Sequence, residues 1–304
     1  MRFPPRLGAL IAVVLWGISF VATKAALQEV SPVTLIFTRF FIGTAFLLLA
    51  ARALPPRDAW RELLVMGLVG VFIHQMLQAF ALTMTTAVHT GWLIGVIPIW
   101  SAILSALILE ERFGWRKVLG IIGGFAGALL VISRGELSSA VLQLPSTKGD
   151  LLILLSTVNW AVYSIIGHRT IRRIGPTRAT TGAFLAGVAL LAPFFIAKAG
   201  WRELPRVTPA GWGAILFLGI GCSGLGYLFW YGALERIEVS RVAVLLYLEP
   251  LVTFATAVAL LHEPVSAIAV IGGLLVMLSV ILTSGIRTET KPVAAGNVVR
   301  SASE

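Results

Sequence analysis

Charge is what this chain has least of. Asp, Glu, Lys and Arg make up 12% of its 304 residues, about half the share usual in soluble domains, which excludes a solvated surface broad enough for a soluble fold. Cysteine occurs once, as Cys222, which excludes an internal disulfide and a cysteine-based metal site. No Ser/Pro/Gly-rich linker divides two cores, so the chain reads as one unit although its length alone allows two domains. Catalytic signatures are missing as well: there is no H-E-x-x-H pair for zinc, no G-x-S-x-G elbow and no G-x-x-x-x-G-K-S/T phosphate loop. The segments between apolar runs are also too short for a catalytic domain, so neither a membrane enzyme nor an ATP-driven pump has its chemistry here. No cofactor and no metal is expected.

What is present is apolar. Hydrophobic residues make up 58% of the chain and the mean hydropathy is +0.92. Ten apolar segments of roughly 20 residues, the length a hydrocarbon core of about 30 Å requires, can be drawn: 7–27, 32–51, 62–82, 86–109, 115–133, 150–171, 178–198, 210–233, 240–261 and 266–286. The expected fold is therefore an all-α integral membrane protein of ten transmembrane helices. The basic excess, a net charge of +10, follows that topology. Lys and Arg fall seventeen times on the side of the termini (from Arg2 and Arg6 to Lys291 and Arg300) and five times on the other (Arg134, Lys148, Lys198, Arg202 and Arg206). This is the positive-inside bias; it predicts a multi-pass protein of the cytoplasmic (inner) membrane with both termini cytoplasmic, and it removes the case for nucleic-acid binding. The first apolar stretch is longer than a secretory h-region and lacks an A-x-A-type site, so it reads as a retained span.

A proline, a glutamate thirteen positions on and a glycine nine further occur twice, as Pro98, Glu111, Gly120 and as Pro250, Glu263, Gly272. The same offset of 152 superimposes Gly67 on Gly219, Ala81 on Ala233, Leu82 on Leu234 and Leu109 on Leu261. Five spans per copy is an odd number, so the second copy enters the membrane from the other face and the repeats are inverted. The expected organisation is a first five-helix repeat over 1–135, a connecting loop over 136–148, a second repeat over 149–287 and a disordered cytoplasmic tail over 288–304. Trp16 and Trp160 correspond more loosely, at a different offset. Such a pair of repeats suits alternating access, with an inner and an outer gate around one central site.

The chain resembles the EamA-type ten-helix permeases of the drug/metabolite transporter superfamily. The resemblance rests on Leu15-Trp16-Gly17-Ile18-Ser19-Phe20 with Lys24, on Thr38-Arg39-Phe40, and on the two copies of a proline-bearing helix ending in glutamate and leading to a glycine-rich helix. It implies a secondary transporter, often an exporter of amino acids, aromatic compounds or other metabolites, with a cavity between the halves. The expected partners are a small-molecule substrate and the bilayer, with protons as a candidate coupling ion and a monomer or weak dimer as the assembly. A carrier of nucleotide-sugar-like solutes is the alternative, and the sparsely basic midplane weighs against it, because phosphate recognition prefers Arg and Lys clusters.

Polar groups inside apolar spans cost about 2.5–3.5 kcal/mol on insertion scales, so those present face protein or a water-filled cavity. Lys24, Arg39, His74 and Glu249 are such groups. Glu249 precedes Pro250, whose missing N–H opens the helical ladder; it either receives a proton or a cationic group, or pairs with Arg39 at similar depth. His74 shares a face with Gln78 and either titrates or packs. Aromatic stripes at helical spacing run through Trp16, through Asn159, Trp160 and Tyr163, through Trp92 and Trp100, and through Tyr227 and Trp230. They form a wall for flat or amphipathic substrates, with Trp92 and Trp230 also readable as interfacial anchors. Pro98, Glu111, Pro250 and Glu263 are gate or helix-end positions. Gly120, Gly123, Gly124 and Gly127 are spaced for close helix packing.

Overall fold

The computed structural model describes residues 4–51, 54–109, 114–135, 143–234, 236, 242 and 244–284, and those residues are helical with no strand among them. Eight helices are long and apolar enough to cross a membrane: α1 (Pro5–Ala26), α2 (Pro32–Ala50), α3 (Arg57–Leu82), α4 (Ala87–Leu104), α5 (Trp115–Ser133), α6 (Pro145–Ile174), α7 (Pro176–Ala197) and α8 (Pro209–Ala233). Two shorter apolar helices follow, α9 (Leu245–Leu261) and α10 (Ala267–Thr283). Large apolar side chains remain on the outside, with Leu49, Ile122, Leu260 and Leu278 60–78% exposed. Water would penalise that surface at about 25 cal/mol per Å² and lipid does not, so this is a multi-pass membrane protein.

Local sequence sets the ends. Proline opens α1, α6, α7 and α8 within the first two positions, where its missing N–H costs no hydrogen bond. Gly175, at φ +84°, stops α6 so that α7 can begin at Pro176, a left-handed conformation that L side chains rarely adopt. Thr86 caps α4 by accepting from His89 N at 3.1 Å, and Thr208 caps α8 by accepting from Gly211 N at 3.1 Å. α6 begins at Pro145, inside the stretch expected as a loop. The expected tail and Glu111 lie outside the described residues.

The irregularities recur at the repeat offset. α3 is π-helical over Gly67–Ile73 and α8 over Phe217–Gly226. Each widened stretch gains a side-chain donor from the other half: Asn159 Nδ2 donates to Val69 O at 2.8 Å, and Trp16 Nε1 to Cys222 O at 3.1 Å. Likewise α4 is interrupted at Gly95 and Val96 just before Pro98, and α9 opens on a 3-10 stretch, Val244–Leu248, just before Pro250. Packing partners exchange between halves in the same way. α1 packs on α8 and α9 while α6 packs on α3 and α4; α2 meets α8 while α7 meets α3; α5 pairs with α10. The last pair is the tightest, since a Cβ on Gly127 would stand 2.5 Å from Gly272 O.

Candidate functional site

Glu249 is positioned by the break that precedes it. The 3-10 stretch gives way to α-helix at Glu249 and Pro250, and Thr253 Oγ1 lies 2.9 Å from both Glu249 O and Gly17 O, tying this turn to α1. A Cβ at Gly17 would stand 2.7 Å from Val252 Cβ and 3.1 Å from Glu249 O, so a glycine is what lets α1 approach so closely. The Glu249 side chain lines a cavity of about 380 Å³ between the halves, a volume within the range of small-molecule sites. Its carboxylate makes no hydrogen bond or ion pair with a described residue.

Arg39 lines the same cavity and is 7% exposed. Its Nε donates to Ser223 Oγ at 3.0 Å and its Nη1 to Gln75 Oε1 at 3.4 Å, and its guanidinium lies 5.3 Å from the Phe40 ring centroid. The ion pair with Glu249, one of the two readings of that carboxylate, does not form. Two charges of opposite sign thus border one space, Arg39 held through two of its donors by neutral partners and Glu249 without a hydrogen bond or ion pair to a described residue.

Aromatic rings make the remaining walls. Trp16 meets Tyr227 edge-on at 5.3 Å and Trp230 at 5.3 Å, while Trp160 contacts Tyr163 at 5.2 Å and His74 at 4.9 Å. His74 and Gly226 are equivalent at the repeat offset, and the two tryptophans answer to them. Trp160 lies tilted against His74, whereas Trp16 leans over Gly226, where a Cβ would stand 2.9 Å from its Nε1. His74 Nδ1 donates to Ser156 O at 3.1 Å, and Gln78 Nε2 donates to Ser156 Oγ at 3.5 Å.

Of the residues singled out in the sequence, Trp16, His74, Gln78, Trp160, Tyr163, Tyr227, Trp230, Glu249, Pro98 and Pro250 border the cavity. Four others do not. Asn159 is turned to the Val69 carbonyl. Trp92, 2% exposed, is wedged against Gly273 and Phe254 and so is not an interfacial anchor. Trp100 packs edge-on against Phe125 at 5.0 Å. Lys24 pairs with Glu263 at 3.4 Å away from the cavity. Gln75 and Tyr247 border the space without having been picked out. Gln75 adjoins His74 but points, by helical spacing, to another face, and only the fold brings that face toward Arg39.

The model of the EamA-like transporter family matches residues 5–133 and 147–285. An uncharacterized transporter of Archaeoglobus fulgidus is 30% identical over 279 residues, 90% of this chain and 95% of that protein. The uncharacterized transporter YyaM of Bacillus subtilis is 32% identical over 73% of this chain and 72% of its own length. A probable terminal-alkyne amino-acid exporter of Streptantibioticus cattleyicolor is 26% identical over 90% of each chain. A crystal structure 24% identical in sequence superposes with a TM-score of 0.62 over 93% of this chain and 96% of that one, which establishes a shared fold. With the family match running through both halves, the chain belongs to the EamA-like transporter family.

Proposed function

We propose that the chain is a secondary transporter of ten crossings in two inverted five-helix repeats, exporting or exchanging small amphipathic metabolites by alternating access. Counting α9 and α10 as crossings rests on length: 17 residues at about 1.5 Å per residue span about 26 Å, near the hydrocarbon thickness. The inversion is supported by the π-helical stretches and proline breaks at one offset, by the exchange of packing partners and by the family match falling in two blocks. Both termini are assigned to the cytoplasm on the seventeen-to-five distribution of Lys and Arg.

The observation that carries the substrate class is the cavity itself, with Arg39 and Glu249 on its walls and tryptophan and tyrosine rings between them. An amino acid fits that arrangement. Its ammonium group meets the carboxylate, its carboxylate meets the donors of the guanidinium fork that Ser223 and Gln75 leave over, and its side chain meets the rings. The exporter of Streptantibioticus cattleyicolor, named for an amino acid, agrees with this class. A diphosphate fits poorly, because Arg39 is the one Arg or Lys among the described lining residues.

Purified protein in proteoliposomes, loaded with a panel of amino acids, aromatic amines and nucleotide sugars, tests the reading. Saturable counterflow of an aromatic or aliphatic amino acid is expected. Flux proportional to gradient without counterflow would mean a channel, and absence of flux for every solute would sink the transporter reading for this cavity.

A further inference from the structure

One end of the bundle holds a buried seam of charged and polar groups to which the cavity gives no role. It forms where α1, α3 and α9 finish and where α4 and α6 begin. The Glu263 carboxylate accepts from Ala87 N at 2.9 Å and from Val88 N at 2.8 Å, and pairs with Lys24 Nζ at 3.4 Å. Beside it, Asp150 accepts from Thr85 Oγ1 and lies 2.9 Å from His89 Nδ1. Lys24 also donates to the Thr85 carbonyl, which joins the two groups. Asp150 is fully buried, and Thr85, His89 and Glu263 are 2–9% exposed.

All of these contacts but the one between Lys24 and Thr85 cross from the first half to the second. Two more carboxylates at this end do the same. Glu29 accepts from Thr208 N and Oγ1 at 2.6 and 2.7 Å, and Glu203 from Ser31 N and Oγ at 2.6 and 2.9 Å. The opposite end differs. Among the described residues its ion pairs between halves are those of Arg173 with Asp58 and Glu62, and all three side chains are 39–69% exposed.

The cavity stops short of the seam and extends toward the other end. On α1 it stops at Phe20, one turn before Lys24, and on α3 at Gln78; on α6 it runs from Trp160 to Ile171, more than two turns beyond Asp150; on α9 from Leu246 to Pro250, far from Glu263; and on α10 from Met277 to Ile281, the later part of that helix. We infer that the seam is a latch. Glu263 and Asp150 hold the α1-exit end shut while the cavity faces the other end, and opening that end means handing their partners, including the two N–H groups that start α4, to water. A charged pair with a buried carboxylate and a half-buried ammonium suits such a two-position element, since its partners are satisfied either against each other or by hydration, with poor alternatives between. The latch rests on the alternating-access reading and adds the residues that close one side.

Thiol labelling reads the latch without transport. A single cysteine, Gln78→Cys in a Cys222→Ala chain, faces the cavity, and a membrane-impermeant maleimide is applied to one face of vesicles of known orientation. With the seam intact, labelling is expected from the cavity-mouth face alone. Lys24→Met and Glu263→Gln should each raise the rate from the seam face by at least about five-fold, the lower bound of ordinary coupling between sites. The double variant should add little more, and Lys24→Arg should behave as the parent. An unchanged seam-face rate in both single variants, with mouth-face labelling retained as proof of folding, overturns the latch and leaves the carrier intact. Where Glu263→Gln loses mouth-face labelling, Lys24→Met and Asp150→Asn, which keep the carboxylate on α4, carry the same comparison. Equal labelling of the parent from both faces overturns the carrier reading and the latch with it.

Discussion

Glu249 is the residue on which the proposed substrate recognition turns, because it borders the cavity with no hydrogen bond or ion pair to a described residue while Arg39 is already held by Ser223 and Gln75. A charge-assisted hydrogen bond contributes about 1.5–3 kcal/mol, so Glu249→Gln should weaken the apparent affinity for an amino acid by about ten- to a hundred-fold and alter the pH dependence of flux. Uptake in proteoliposomes across a pH series checks this, and unchanged affinity and pH profile would remove Glu249 from recognition. Such a residue was legible in the sequence, since a carboxylate in mid-span is rare enough to stand out. Asp150 was not. At the edge of an apolar segment it looks like any interfacial acid, and its meaning comes from Thr85 and His89, more than sixty positions away in the chain.

Helices as elements followed the sequence closely, and their distortions did not. Apolar run length set the spans, so that the stretch expected over 115–133 is α5 to the residue. The π-helical stretches of α3 and α8 contain glycines, but composition does not point to the donors each accepts from another element, Asn159 and Trp16. Glycine spacing in α5 predicted close packing, and the partner is α10, but the four glycines are unequal. A Cβ at Gly127 would stand 2.5 Å from Gly272 O, a rigid backbone atom, whereas one at Gly123 would meet the movable Ser279 Oγ at 2.6 Å. Gly127→Ala should therefore cost about 1–3 kcal/mol through forced separation of α5 and α10, with Gly123→Ala costing less. Thermal unfolding in detergent ranks the two, and an equal loss would mean that the helix pair yields as a whole.

At the scale of the whole molecule, the inequality of the two ends was not readable from the sequence offset, because the offset describes what the halves share. The described contacts place two buried carboxylates, Asp150 and Glu263, beside the half-buried Glu29 and Glu203 at the α1-exit end, and exposed ones at the other, and burial decides what each is worth. Exposed pairs contribute about 0.2–1 kcal/mol, so Arg173→Ala should lower stability by less than about 1 kcal/mol even though it removes contacts to both Asp58 and Glu62. Asp150→Ala strips partners from a buried hydroxyl and a buried imidazole. Each group left unsatisfied costs about 1–3 kcal/mol, so the loss should reach about 2–5 kcal/mol. Unfolding of the two variants, followed in one detergent by tryptophan fluorescence, compares the ends directly. If Arg173→Ala proved as damaging as Asp150→Ala, the halves would be held together evenly, and a molecule so balanced would have no preferred closed side.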